Sequence, residues 1–194
     1  MIQELFIKPV LVFGCGNPLF GDDGFGPAVI EHLMMHYSLP DSVLAVDAGT
    51  SIRDFLFDLL LAPVKPSQIH IVDAVSLPDR QPGEIFKLEL DKIPIPKASD
   101  FSLHQFPSVN LLREMNSLTC VDVQVLAVQA GHIPDFVQPG LSPQVQKAVE
   151  PACRWLLYQI GRAEGEDRDA TSVVSSTVMR LPGGTKTKDQ KQTT

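Results

Sequence analysis

An open α/β sheet with helices on both faces is the fold class this sequence predicts, and three observations carry it. Five apolar runs alternate with helical patterns in the order βαβαββαβα, joined by short links. The first three runs, residues 9–13, 43–46 and 69–72, are short and β-branched or continuously apolar, as expected for parallel strands covered on both faces. The fourth, residues 84–90, alternates in EIFKLEL after the turn Pro82-Gly83, which predicts an edge strand with one wet face. Residues 122–128 complete a five-stranded, mostly parallel sheet with a single antiparallel edge strand.

The helices follow from periodicity and caps. Pro27 suits a first helical position, and Phe25, Val29, Ile30, Leu33 and Tyr37 form an apolar stripe behind it. Ile52–Leu61 reads as a second helix and residues 107–118 as a third. Ser142-Pro143 is a cap followed by a first-turn proline, with Val145, Ala148, Val149, Ala152, Leu156 and Ile160 on one face beyond it. Pro151 is expected to kink that helix without ending it, because the apolar period continues past it.

With 194 residues and 44% hydrophobic content, the chain can bury one good core, and one domain is expected over residues 1–161. Residues 162–194 carry GEDRD, PGG and TKTKDQKQTT with little apolar content, so they are expected to form a disordered polar tail. The net charge of −7 argues against nucleic-acid or membrane partners. Cys15, Cys120 and Cys153 are far apart without a C-x-x-C, so neither a disulfide framework nor a zinc ribbon is offered. The opening MIQELFIKPV is too short and too charged for a signal peptide, and no apolar run reaches transmembrane length; a cytoplasmic monomer is expected.

In open α/β sheets, ligands bind beyond the carboxyl ends of the strands. Strand one is followed by GCGNPLFGDDG, strand two by Asp47-Ala48-Gly49-Thr50, strand three by Asp73-Ala74, and the loop after strand four holds Ser102-Leu103-His104-Gln105. Three acids and a histidine are therefore expected along one edge of the sheet. A dinucleotide site is the first alternative. Gly14 and Gly16 supply two glycines of G-x-G-x-x-G, but the third position is Leu19, and Asp22 and Asp23 would repel a pyrophosphate there. Asp73 follows a central-strand pattern, where a carboxylate needs a partner or an ion. Two carboxylates and an imidazole make a three-ligand set with room for water or a substrate atom, suited to nickel, zinc, cadmium or manganese. Cys15 reads as a small buried thiol, and His32, His36, His70 and His132 as structural or surface residues.

At these residues the sequence resembles the nickel–iron hydrogenase maturation endopeptidases. FGCGNPLFGDDGFGP is similar to the family's strand-one signature G-x-G-N-x-L-x-x-D-[DE]-x-x-G, VDAGTS to its D-x-G-T segment, and HIVDAV to the aspartate closing strand three. PGEIFKL, SLHQ and QPGLSPQVQKAVEPACRWLL follow in order, so the likeness spans residues 9–161. The strand-one loop is nearest to the branch serving coenzyme F420-reducing hydrogenases. The resemblance implies removal of a C-terminal extension from a nickel-loaded large-subunit precursor. It places a metal-contacting triad on Asp23, Asp73 and His104, with the nickel carried by the substrate and other divalent ions able to occupy the site.

Asp23 and Asp73 are the expected catalytic residues, in metal-assisted or aspartic-type hydrolysis, with Asn17, Asp47, Gly49 and Thr50 shaping the substrate cleft. Substitution of Asp22 is expected to cost turnover far less than substitution of Asp23. No Ser-His-Asp set or H-E-x-x-H is offered. The rival classes are a non-enzymatic nickel chaperone or docking protein, and a nucleotide-binding α/β protein.

Overall fold

A computed structural model describes residues 5, 7–90 and 109–163. The chain runs β1 (Val10–Cys15), a 3-10 turn (Gly21–Gly24), α1 (Phe25–His36), β2 (Val43–Gly49), α2 (Ile52–Leu61), β3 (Gln68–Val75), β4 (Ile85–Leu88), α3 (Val109–Leu118), β5 (Asp122–Gln129) and α4 (Pro143–Ala163). The strands form one sheet in the order β2-β1-β3-β5-β4. All neighbours are parallel except β4, which lies antiparallel on β5 at the edge, as its alternating sequence predicts.

Strand alternation divides the core in two. Leu11, Phe13, Ile69, Ile71 and Val125 face α2 and α3, where Leu56, Leu59, Leu112 and Met115 are fully buried. Val10, Val12, Val72, Leu126 and Val128 face α1 and α4 and bury Phe25, Leu33, Val149 and Leu156. Each such side chain contributes about 1.5–3 kcal/mol of burial, so both faces of the sheet are secured. α4 continues through Pro151, with Ala152, Leu156 and Ile160 still in the core, and ends two residues past the expected boundary at Gly161.

Two boundaries differ from the sequence reading in ways that matter for the site. β1 is longer than residues 9–13, because Gly14 and Cys15 still pair with Asp47 and Gly49 of β2. β3 does not end at Val72: β5 carries it to Val75, with Asp73 opposite Ala127. Asp73 is therefore a strand residue, one position beyond Val72, the last β3 residue paired with β1. Pro27 is the third helical residue rather than the first, since the 3-10 turn leads directly into α1; its missing N–H lies among the unpaired donors of the first turn in either case.

Candidate active site

The loop after β1 is pressed onto the sheet by glycines. A Cβ on Gly26 would fall 2.2 Å from the Cys15 carbonyl oxygen and 2.6 Å from that of Val72. α1 therefore lies against β1 and β3 with no side chain between. Gly16, at φ +118°, is tighter still, because a Cβ there would stand 1.8 Å from the Asp23 carbonyl oxygen. The turn closes on itself: the Asn17 amide donates to Asp23 Oδ2 at 2.7 Å, and Asn17 Oδ1 accepts from the Leu19 amide at 3.0 Å. Asp23 is thus held over the carboxyl end of β1, 5% exposed.

Asp73 arrives from β3. It lies on the face that carries Ile69 and Ile71 and is 2% exposed. Its Oδ1 accepts from the Ala74 amide at 2.8 Å. Burial pushes its carboxyl well above the ordinary carboxylate range; the Ala74 N–H opposes that rise, and the neighbouring charge of Asp23 adds to it. Cys15 is fully buried on the same face, and burial first, then the charges of Asp73, Asp47 and Asp23, raise its thiol well above the usual value. A buried thiol so placed is not a nucleophile, and the charges of three carboxylates reach it at this strand end.

Asp47 reaches that edge from the other side of the sheet, on the face shared with Val43 and Ala45. It is exposed, and its Oδ1 accepts from the Gly49 amide at 2.9 Å, with Gly49 at φ +51°. Thr50 is exposed just beyond, and the Gly49 carbonyl accepts from the Gly16 amide at 3.0 Å. Asp47 lines a groove of about 520 Å3 with Pro18, Gly24, Pro27 and Glu31. His104 lies outside the described residues, and among those residues no group of three His, Cys, Asp or Glu side chains is arranged to hold a metal ion.

Comparison with known proteins bears on this arrangement. The sequence pattern of the hydrogenase maturation protease family HycI matches residues 27–159. A Methanocaldococcus jannaschii protein named as a hydrogenase maturation protease is 38% identical over 155 residues, covering 79% of this chain and 97% of its own. The chain belongs to the hydrogenase maturation protease family. Coenzyme F420 hydrogenase subunit delta of Methanothermobacter thermautotrophicus is 37% identical over 156 residues, covering 78% of this chain and 94% of its own. Among solved structures, the hydrogenase 2 maturation peptidase of a Thaumarchaeota archaeon is 33% identical with a TM-score of 0.51, covering 79% of this chain and 99% of its own. The hydrogenase-maturating endopeptidase HybD of E. coli is 25% identical with a TM-score of 0.64, covering 81% of this chain and 94% of its own. This chain is accordingly a hydrogenase maturation endopeptidase.

One feature of this protease was not legible in the sequence. Asp22 is fully buried and accepts four hydrogen bonds. Its Oδ2 takes the amides of Gly131 and His132 at 2.7 and 2.8 Å and the Ser142 hydroxyl at 2.9 Å, while Oδ1 takes the Ser142 amide at 2.6 Å. Its own amide donates to the His132 carbonyl. Asp22 thus fastens the β1 loop to the segment between β5 and α4, and His132 takes part through its backbone. Replacing Asp22 takes away the acceptor of three amides and a hydroxyl, a cost in stability that is separate from the small effect on turnover expected of it. Those partners lie 109 to 120 residues away, beyond the reach of any local signal.

The remaining histidines are accounted for as packing or surface groups. His32 Nε2 meets Glu150 Oε2 at 2.8 Å on the α1–α4 surface, and the His36 ring stacks on His32. His70 is buried, edge-on to Trp155.

Proposed function

We propose that this endopeptidase removes a C-terminal extension from the nickel-loaded large-subunit precursor of a nickel–iron hydrogenase, with Asp23 and Asp73 as its working carboxylates. The observation that carries the reading is Asp73: a carboxyl 2% exposed, accepting one hydrogen bond among the described residues, from its own neighbour, and lying beside a second acid. Such a pair is costly to ionise unless a cation or a proton is shared between the two groups. Nickel carried by the precursor supplies that cation, with Asp23, Asp73 and His104 as its contacts. The residues already assembled offer hard oxygen donors and no ionised thiolate, which suits a weak, open site that a substrate-borne ion can enter and leave.

Held on these groups, the precursor's segment is oriented against the carboxylates, which makes cleavage effectively intramolecular. A second reading takes Asp73, buried beside Asp23 with its carboxyl raised by burial, as a general base. There Asp73 takes a proton from water as the water oxygen attacks the scissile carbonyl, and that proton passes to the leaving amine. The likeness to coenzyme F420 hydrogenase subunit delta supports a precursor from that hydrogenase branch. We place the protein in the cytoplasm, where Cys15, Cys120 and Cys153 stay as thiols.

The test is incubation with nickel-loaded and nickel-free precursor, read at the C-terminus by mass spectrometry. Cleavage is expected of the loaded form alone, and nickel added to the free protease should not replace loading. Efficient cleavage of nickel-free precursor overturns the recognition role while leaving the protease assignment standing. Cleavage of neither form under any metal condition favours the chaperone class instead.

A further inference from the structure

Three large apolar side chains stand in solvent along the seam that Asp22 fastens. Leu19 is 47% exposed, Phe136 67% and Val137 63%. They are not on a loose loop. The Gln138 amide donates to the Leu19 carbonyl at 2.8 Å, and the Gly21 amide donates to the Gln138 carbonyl at 2.9 Å, a short parallel pairing of the two loops. Behind that pairing lie the four bonds of the buried Asp22. The chain therefore holds an apolar strip rigid and wet, where it contributes nothing to the core, and a fixed strip of this kind marks an interaction surface.

The groove is lined by close chain neighbours of the strip, from the two loops that pair through Gln138. Pro18 and Gly21 of the β1 loop form one wall of that groove, Gly140 and Leu141 another, and its volume is about 520 Å3. Leu19 is four residues from Asp23 in the same closed turn. Among the described residues, the charged ones lining the groove are Glu31 and Asp47, and the exposed Asp135 adjoins the strip. No lysine or arginine among the described residues lines it, so an acidic ligand is disfavoured and an apolar polypeptide stretch without carboxylates is the chemistry that fits.

We propose that Leu19, Phe136 and Val137, with the adjoining groove, dock an extended apolar stretch of the precursor's C-terminal segment next to the scissile bond. This rests on the reading that the precursor is the substrate. The fastened loops make the docking strip and Asp23 one rigid unit, so a segment seated on the strip is aligned with the carboxylates at little entropic cost. Phe136 is the expected anchor, being the largest and most exposed of the three.

The experiment compares wild type with a Phe136→Ser/Val137→Ser variant and, as control, Phe57→Ser, which removes an equally exposed aromatic (53%) from α2. Steady-state cleavage of nickel-loaded precursor should show KM raised about tenfold or more in the double variant, with kcat and Tm unchanged. The control should match wild type in all three. Binding of a fluorescein-labelled peptide copied from the precursor's C-terminal segment should weaken by the same factor in the double variant alone. A double variant within twofold of wild type in both KM and peptide affinity overturns the proposal, as does an equal loss in Phe57→Ser. If wild type cleaves no precursor yet the peptide still distinguishes the double variant from the control, the docking strip stands and the substrate reading falls.

Discussion

Two buried acids at the same edge of the sheet have opposite surroundings. Around Asp22 the protein supplies four donors from two backbone segments and a hydroxyl, so the carboxylate is solvated by the fold and ties distant loops together. Around Asp73, among the described residues, it supplies one, from the next residue, and sets Asp23 beside it, so burial and a like charge both oppose ionisation. A carboxylate with a full set of partners is structure. On the function proposed above, the buried acid whose ionisation is opposed is the one that works on the precursor.

The largest effect should come from Asp23→Asn, which keeps the side-chain size and the acceptor for the Asn17 amide while removing the charge. Turnover of loaded precursor should fall by about 10²–10⁴, read by mass spectrometry under single-turnover conditions, with the far-UV spectrum and Tm retained. Retained turnover would move Asp23 to the structural side of the comparison.

Asp22→Asn sharpens the other side. An amide places an NH2 group against at least one of the four donors, so urea denaturation should show a loss of about 1–3 kcal/mol. Unchanged stability would mean the seam contributes little.

His70 extends the comparison to an imidazole. It is fully exposed to neither water nor a complete set of partners: Nε2 meets Gln68 Oε1 at 3.2 Å, and Nδ1 is buried without a partner among the described residues. Burial lowers its pKa to about 4, against a smaller upward pull from Asp122 and a downward one from Lys87. The unfolded chain therefore binds the extra proton between roughly pH 6.5 and 4, and folding stability is full above that window and falls as pH drops through it. His70's own share of that loss between roughly pH 7 and pH 5 should be about 2 kcal/mol, read by urea denaturation as the difference between wild type and His70→Gln, because the raised carboxyl of Asp73 acts in the opposite direction in both proteins. An unaltered slope in the variant would remove His70 as its cause.

The smallest effect concerns the polar C-terminal residues. A chain ending at Ala163, the last residue of α4, should keep Tm and cleavage rate within error, because the segment beyond it is too polar to bury much surface. A loss of either would show that it packs on the domain.

Much of this architecture was legible because it rests on local pattern. The bounds of α2 and the start of β5 follow directly from apolar periodicity, and β4 was identifiable as an antiparallel edge from its alternation behind Pro82-Gly83. Asp73 stood out as a charge directly following an apolar strand pattern. Its position inside β3 did not, because strand length is set by the partner β5 and not by the strand's own sequence. Asp47 was read onto the same edge as Asp73, but the two-residue period of β2 turns it to the α1 side, where it lines the groove. The resemblance singled out Asp23 over Asp22, but what Asp22 does instead depends on the approach of the segment near Gly131 and Ser142, which no local pattern announces.

The comparison is tested most directly by measuring Tm and cleavage of nickel-loaded precursor together in Asp73→Asn and Asp22→Asn, at a temperature where both variants are folded. Asp73→Asn should keep or raise Tm, since it removes a carboxyl that is costly to ionise where it is buried, and should lower turnover about as far as Asp23→Asn does. Asp22→Asn should lower Tm while its folded fraction still cleaves at a rate much closer to wild type. The account is contradicted if Asp73→Asn cleaves normally, or if Asp22→Asn retains full stability and loses cleavage instead.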